Sequence, residues 1–232
     1  IFLHLVFFFI FLFKKSKIIR ARKIFFLYGW LFGFGYFITN LYWISISLTF
    51  DQEFKFLIPL AFFLIPAFLG IFYGLVTYFF IIFKQKKIVI SFLVFSLIFG
   101  ILEFIRGSIL TGFPWNLIAY SFSNQLEIST ITSIIGTYSF NLFCISLFTC
   151  PAIFILRDTK KDIGICIIFL IITILFFIYG SYYEKKFNES DFNTYNYKIR
   201  VIGSNVSLDR FYSDQDPISV IKDLIKISEP NK

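Results

Sequence analysis

The residues best placed to do chemistry lie in one run, Ile101-Leu-Glu-Phe-Ile-Arg-Gly-Ser-Ile-Leu-Thr-Gly-Phe-Pro-Trp-Asn-Leu-Ile-Ala-Tyr120. Glu103 and Arg106 are three apart, so on a helix they share a face and can pair. Ionisable groups in or near an apolar helix are costly and face protein or a wet cavity. Gly112 and Pro114 then end any helix, and Trp115 and Tyr120 are residue types of the membrane–water interface. Two readings fit: a mouth where a lipid headgroup enters, shaped by Glu103, Arg106, Thr111, Gly112, Phe113, Pro114 and Trp115, or an interfacial turn stapled by one ion pair. Other polar groups are sparse. Cys144, Cys150 and Cys166 fall inside apolar runs and read as small buried hydrophobes, and His4 has no partner ligand, so neither metal nor cofactor is expected.

Long apolar segments must position this run. Of 232 residues, 58% are hydrophobic, 23% aromatic and only 16% charged, and mean hydropathy is +0.80. Apolar runs long enough to cross a bilayer recur, which excludes a soluble globular protein. Ile1–Phe13 would span about 20 Å as a helix, too short to cross, and lacks the basic start and small-residue cleavage site of a signal peptide. With Ile at position 1 and no Met in the chain, it reads as the second half of a transmembrane helix. Five full segments follow: Ile24–Phe50, Phe56–Phe83, Ile88–Ile105, Ile128–Leu156 and Ile163–Tyr179. Pro59, Pro66 and Pro151 lie within the second and fourth. The fold class is therefore an α-helical polytopic membrane protein with five full transmembrane helices and a partial first one.

The formal charge of +8 resolves into topology. Six basic residues (Lys14, Lys15, Lys17, Arg20, Arg22, Lys23) fill the first loop, three (Lys84, Lys86, Lys87) the third and three (Arg157, Lys160, Lys161) the fifth. Loops two and four carry Lys55 and Arg106 alone. By the positive-inside rule the odd loops are cytoplasmic and the tail after Gly180 is exported. The basic excess reflects orientation, and nucleic acid is not a partner. Gly29-x-x-x-Gly33 and Gly70-x-x-x-Gly74 permit close helix packing. Asn40, Tyr42, Trp43, Ser45 and Ser47 either line a cavity or hydrogen-bond between helices. Asn188-Glu-Ser190 and Asn205-Val-Ser207 match a glycosylation pattern that is common by chance.

Three parts follow along the chain: a transmembrane domain over 1–180, an exported polar linker over 181–197, and 198–232. In the last, Lys198-Ile-Arg-Val-Ile-Gly203 predicts a strand. Asp216-Pro217 predicts a helix start, with Ile218, Ile221, Leu224 and Ile225 on one apolar face. One strand and one helix cannot bury a core, so this stretch reads as the start of a larger α/β domain.

Glu103-Phe-Ile-Arg-Gly-x-x-x-Thr-Gly-Phe-Pro-Trp115 closely resembles the signature of the bacterial apolipoprotein N-acyltransferases. Gly33-Phe-Gly-Tyr-Phe-Ile-Thr-Asn-Leu-Tyr-Trp43, Ile134-Ile-Gly-Thr-Tyr-Ser-Phe140 and Ile199-Arg-Val-Ile-Gly-Ser-Asn205 extend the likeness over almost the whole chain. The resemblance implies a multi-pass protein of the bacterial inner membrane that carries the first strand and helix of an incomplete nitrilase-like domain on its outer side. It implies transfer of a fatty acyl chain from a phospholipid to the N-terminal diacylglyceryl-cysteine of a lipoprotein, through a Cys thioester with Glu as base and Lys on the oxyanion. Those three residues fall beyond the position matching Lys232, so a chain truncated at both ends and inactive alone is expected. Cys144, Cys150, Cys166 and Glu103 are not substitutes. The alternatives are a non-catalytic membrane half completed by a separately encoded nitrilase chain, or a small transporter. Against the transporter, the spans show neither repeat symmetry nor paired midplane charges.

Overall fold

The computed structural model describes residues 2–19, 21–49, 52–109, 112–190, 201, 203 and 217–228. Ten α-helices are found among them. Four are long: α2 (Arg22–Leu41), α3 (Ile58–Phe83), α4 (Ile88–Ser108) and α9 (Gly164–Asn188). Each, with its flanking 3₁₀ turns where it has them, is long and apolar enough to cross a membrane. Many of their large apolar side chains are exposed, including Phe63 and Leu64 on α3, Leu97 on α4 and Ile168 and Leu175 on α9. A surface of that kind is stable against lipid and not against water. The molecule is a helical membrane protein.

By contact the chain divides into two units, residues 1–41 with 63–190, and residues 42–62 with 191–232. In the first, α1 (Phe2–Lys15) is the most enclosed helix, with Leu5, Phe9 and Leu12 fully buried. Phe9 sits at the centre of a ring cluster, 5.9 Å from Phe80, 6.3 Å from Phe92 and 5.1 Å from Phe95, and Phe95 continues it to Phe99 and Tyr73. Between lipid-embedded helices no water is expelled, so such edge-on ring contacts and close backbone approach must supply the cohesion.

Close approach is what the two glycine pairs provide. A Cβ on Gly29 would strike Thr77 Oγ1 and the Tyr73 carbonyl, and one on Gly33 would lie 2.7 Å from Tyr73 Cβ and 3.0 Å from Gly70 Cα. The predicted small-residue ridges of α2 and α3 thus face each other within one chain. Two hydrogen bonds lock the pair: Thr77 Oγ1 donates to the Phe25 carbonyl (2.5 Å) and Trp30 Nε1 to that of Ala67 (2.9 Å).

Four features differ from the sequence reading. Five full spans are expected, but four continuous ones are found among the described residues. The segment Ile128–Leu156 is divided into α5 (Leu126–Ser129), α6 (Thr132–Ile135), α7 (Thr137–Thr149) and α8 (Ala152–Leu156). Gly136 turns the chain with φ +77°, a conformation a side chain resists. Pro151 lacks the N–H needed to continue the ladder, although Cys150 and Pro151 both keep right-handed helical backbone. Residues 137–156 therefore follow one kinked path of roughly 30 Å. Second, α2 ends at Leu41 and the chain tightens into a 3₁₀ segment, Tyr42–Thr49. Ser45 and Ser47 hydrogen-bond back to the carbonyls of Tyr42 and Ile44 and bridge no helices. Third, α9 runs through Ser181 to Asn188, where a linker is expected. An i,i+4 Lys185–Glu189 pair supports its polar end, and Gly180 packs against the backbone of Glu127. Fourth, Cys166 is only half-buried, its thiol 3.3 Å from the Cys150 carbonyl, whereas Cys144 and Cys150 are buried as expected.

The second unit holds the paired 3₁₀ segments Tyr42–Thr49 and Gln52–Leu57 and helix α10 (Pro217–Ser228). The predicted helix start at Pro217 is observed, and Ile218, Ile221, Leu224 and Ile225 are exposed. The predicted strand over 198–203, apart from Val201 and Gly203, lies outside the described residues. So do Asp216 and the Asn205-Val-Ser207 motif.

Gly29→Val is expected to destabilise the chain by about 3 kcal/mol, since its branch meets a backbone carbonyl that cannot yield. At Gly35 nothing lies within 4 Å of the place a Cβ would occupy, so Gly35→Ala should be neutral or stabilising by up to about 1 kcal/mol. Thermal unfolding in detergent compares the two.

Candidate functional site

The helix α4 ends where its sequence stops favouring one: Ser108 is its last residue, Ile109 is extended, and Gly112 has φ +78°. The turn after it is held by α4 itself. Gly112 N–H donates to the Ile109 carbonyl (2.8 Å) and Phe113 N–H to that of Arg106 (3.2 Å). Arg106 then makes four side-chain hydrogen bonds. Nε and Nη2 reach Glu103 Oε1 and Oε2 at 3.1 and 2.8 Å, a bidentate pair, and Nη1 reaches the carbonyls of Phe113 (2.8 Å) and Trp115 (3.0 Å). The guanidinium also lies 5.2 Å from the Phe37 ring of α2.

Both charged residues are 1% exposed. The Tyr73 hydroxyl from α3 and the Asn141 amide nitrogen from α7 lie near the Glu103 carboxylate, and neither makes a hydrogen bond. Asn141 Oδ1 in turn accepts from Ala119 N–H (2.9 Å). The loop is gripped a third time by Tyr36 of α2, whose hydroxyl donates to the Asn116 carbonyl (2.9 Å). Asn116 has φ +59°, which its short amide side chain tolerates. Leu117, Ile118 and Ala119 are buried beneath it.

Of the seven residues singled out in the sequence, Glu103 and Arg106 therefore form a closed clamp rather than a surface. Gly112 and Phe113 are half-buried, while Pro114 and Trp115 are exposed, with the Phe113 and Trp115 ring centroids 6.5 Å apart. Thr111 lies outside the described residues. Residues not singled out complete the neighbourhood. A cleft of about 730 Å³ opens between α1, α2 and the clamped loop. Leu31, Phe32 and Leu117 give it apolar walls, and Thr39, Asn40, Asn116, Tyr120 and Ser121 a polar rim, with His4 from α1. Asp, Glu, Lys and Arg are absent from its lining among the described residues. Asn40, ambiguous in sequence, is thus a cleft residue. His4 could not have been found by spacing, because only the packing of α1 brings it there. Tyr120, exposed at the rim, has its phenol pushed above its ordinary range by burial and by the neighbouring Tyr138, so it stays a neutral hydrogen-bonding group.

The site is thus an apolar cleft with a polar rim, set in a helical membrane protein beside a loop held by a buried ion pair. The family profile of the apolipoprotein N-acyltransferase N-terminal domain matches residues 1–150. An apolipoprotein N-acyltransferase of Rickettsia prowazekii is 32% identical over 181 residues, 77% of this chain and 35% of its own. One of Rhizobium rhizogenes is 34% identical over 66% of this chain and 28% of its own, and one of Rhizobium etli 37% over 57% and 25%. The chain belongs to the apolipoprotein N-acyltransferase family, and spans about a quarter to a third of the length of these relatives. No solved structure matches it.

Arg106→Ala leaves the Glu103 carboxylate buried without its partner and frees the Phe113 and Trp115 carbonyls. A loss of about 3–5 kcal/mol is expected. The thermal midpoint in detergent measures it, and the fluorescence of Trp115 should shift in the same variant, as its backbone anchor is gone.

Proposed function

We propose that this chain forms the membrane platform of an apolipoprotein N-acyltransferase, the enzyme class that moves a fatty acyl chain from a phospholipid to the N-terminal diacylglyceryl-cysteine of a lipoprotein. The observation that carries the proposal is the 730 Å³ cleft beside the clamped loop. Its size suits part of an amphiphile. Its walls of Leu31, Phe32 and Leu117 suit acyl chain, and its uncharged amides and hydroxyls suit a glycerol ester. Phe113, Pro114 and Trp115 stand at the adjoining edge, where their backbone is held in place by Arg106. In this reading the chain positions lipid, and the resemblance places the nucleophilic Cys, the Glu base and the oxyanion Lys in the nitrilase-like domain.

In this reading the protein lies in the bacterial inner membrane, with the basic loops at Lys14–Lys23, Lys84–Lys87 and Arg157–Lys161 cytoplasmic. The clamped loop and the residues after α9 are then on the periplasmic side, and residues 198–232 begin the nitrilase-like domain. A second reading, in which a separately encoded nitrilase half completes the enzyme, draws support from the exposed Ile221, Leu224 and Ile225 of α10.

Gly35 sits in the cleft wall with open space before it, so Gly35→Trp should fill the cleft without disturbing the helix pair. Binding of a fluorescent diacyl phospholipid is expected to fall at least about tenfold in that variant while the unfolding midpoint stays unchanged; equal binding would remove the cleft from the proposal. A phosphatase reporter fused after Lys198 is expected to be active on the periplasmic side, and activity confined to the cytoplasm would reverse the topology. Expression of this chain alone in a strain lacking the full enzyme should not restore lipoprotein N-acylation.

A further inference from the structure

The opposite end of α2 carries a second feature that acyl transfer does not use. Lys23, Phe26, Leu75 and Tyr78 line a furrow of about 360 Å³ between α2 and α3. Phe26, Leu75 and Tyr78 are half-buried and Lys23 is exposed. The ring of Phe26 lies over Gly74, 2.7 Å from where a Cβ would stand, so the missing side chain lets the ring seat against α3. Its lining is almost wholly apolar, so Lys23 contributes its methylene stem and carries its ammonium to the rim. From Lys23 to Asn40 is about 25 Å along the helix, which separates this furrow from the cleft.

Charge at this end is one-sided. Helix α2 begins with Arg22 and Lys23 and has no acidic residue in its first turn, so two side-chain charges add to the positive pole of the helix. Helix α1 ends at the same side with Lys14 and Lys15, followed by Lys17. Lys84 hydrogen-bonds Ser16 Oγ at 2.6 Å, and it and Lys17 stand 5.4 and 5.1 Å from the same Phe13 ring. Burial and then the Lys17 ammonium push Lys84 below its ordinary range, as crowded like charges do. Among the described residues, ion pairs within 4 Å join only Glu103 to Arg106 and Glu189 to Lys185, so no described carboxylate neutralises this cluster.

We infer that the Lys23–Phe26–Leu75–Tyr78 furrow is a binding site for an anionic diacyl phospholipid, distinct from the acyl-transfer cleft. The phosphate sits against Lys23 and Arg22, and one acyl chain lies along Phe26, Leu75 and Tyr78. Neither half of the site suffices for this: the furrow accepts any acyl chain, and the uncompensated cations select the negative headgroup.

The test uses the chain in detergent, offered phosphatidylglycerol and phosphatidylcholine of identical acyl chains, with retained lipid counted by native mass spectrometry. Wild type should retain phosphatidylglycerol preferentially. Each basic group near the lipid is worth about fivefold in affinity, so Lys23→Gln should lower retention about fivefold and the double variant with Arg22→Gln about twenty-five-fold. Lys161→Gln, the same charge change in another loop, should leave it unchanged. Leu75→Trp fills the furrow without altering charge and should release phosphatidylglycerol and phosphatidylcholine alike. The inference is overturned by equal retention of the two lipids in wild type, by a loss in Lys161→Gln matching that in Lys23→Gln, or by wild-type retention in Leu75→Trp.

Discussion

A carboxylate and a guanidinium at 1% exposure within a membrane protein constrain everything around them. In a low dielectric their mutual attraction is large, but so is the cost of taking each from water, and the balance is favourable only when the remaining donors and acceptors are also used. Arg106 meets that condition with four hydrogen bonds, to Glu103 and to two loop carbonyls, and four other elements converge on the pair. The α3 helix brings Tyr73, α7 brings Asn141, α2 brings the face of Phe37, and the loop brings the carbonyls of Phe113 and Trp115. Moving the Phe113 or Trp115 carbonyl would take a partner from the buried Arg106 Nη1. The pair is therefore what converts a glycine- and proline-broken loop into a fixed edge.

The rest of the bundle is what lets that convergence happen. Tyr73 reaches Glu103 because α2 and α3 approach closely along Gly29, Gly33 and Gly70, and its ring is wedged between Phe37 and Phe99 at 5.2 and 4.8 Å. The same close approach brings Tyr36 and Phe37 to the loop end. Asn141 is placed by α7 packing along α4, with Leu142 seated 2.8 Å from where a Cβ on Gly100 would stand. Aromatic contact, small residues and the ion pair are thus successive layers of one arrangement. The phenylalanine-rich core fixes distances, the glycines set them short, and the charges specify which groups must meet.

Much of this was legible in the sequence because it depends on short spacings. The three-residue interval between Glu103 and Arg106, the break at Gly112 and Pro114, and the paired glycines all act within a turn or two of helix, and the structure shows each doing what its spacing implies. What was not legible depends on contacts between distant segments. Nothing adjacent to Tyr73 or Asn141 marks them as partners of Glu103, and His4 and Asn40 become neighbours of the cleft only through helix packing. Local rules also misjudged two boundaries. The polar composition after Gly180 suggests a linker, yet Lys185 and Lys186 are good helix formers, Lys185 pairs with Glu189 just past the end, and α9 continues to Asn188. Apolarity alone joined Ile128 to Leu156, and the φ +77° at Gly136 divides it.

The two ends of α2 also show why net charge is a poor guide to what a membrane helix meets. At the Asn40 end the cleft lining has, among the described residues, hydroxyls and amides and no Asp, Glu, Lys or Arg, although a buried ion pair lies just behind its loop. At the Lys23 end cations are exposed and unpaired among the described residues, so their field reaches outward. A neutral rim can admit an ester that must later leave, because hydrogen bonds to neutral groups are individually weak and reversible. A cationic rim over an apolar furrow instead favours retention of a negative headgroup. One helix of about 30 Å thus presents two chemically different surfaces, an apolar cleft with hydroxyls and amides at one end and an apolar furrow with exposed cations at the other.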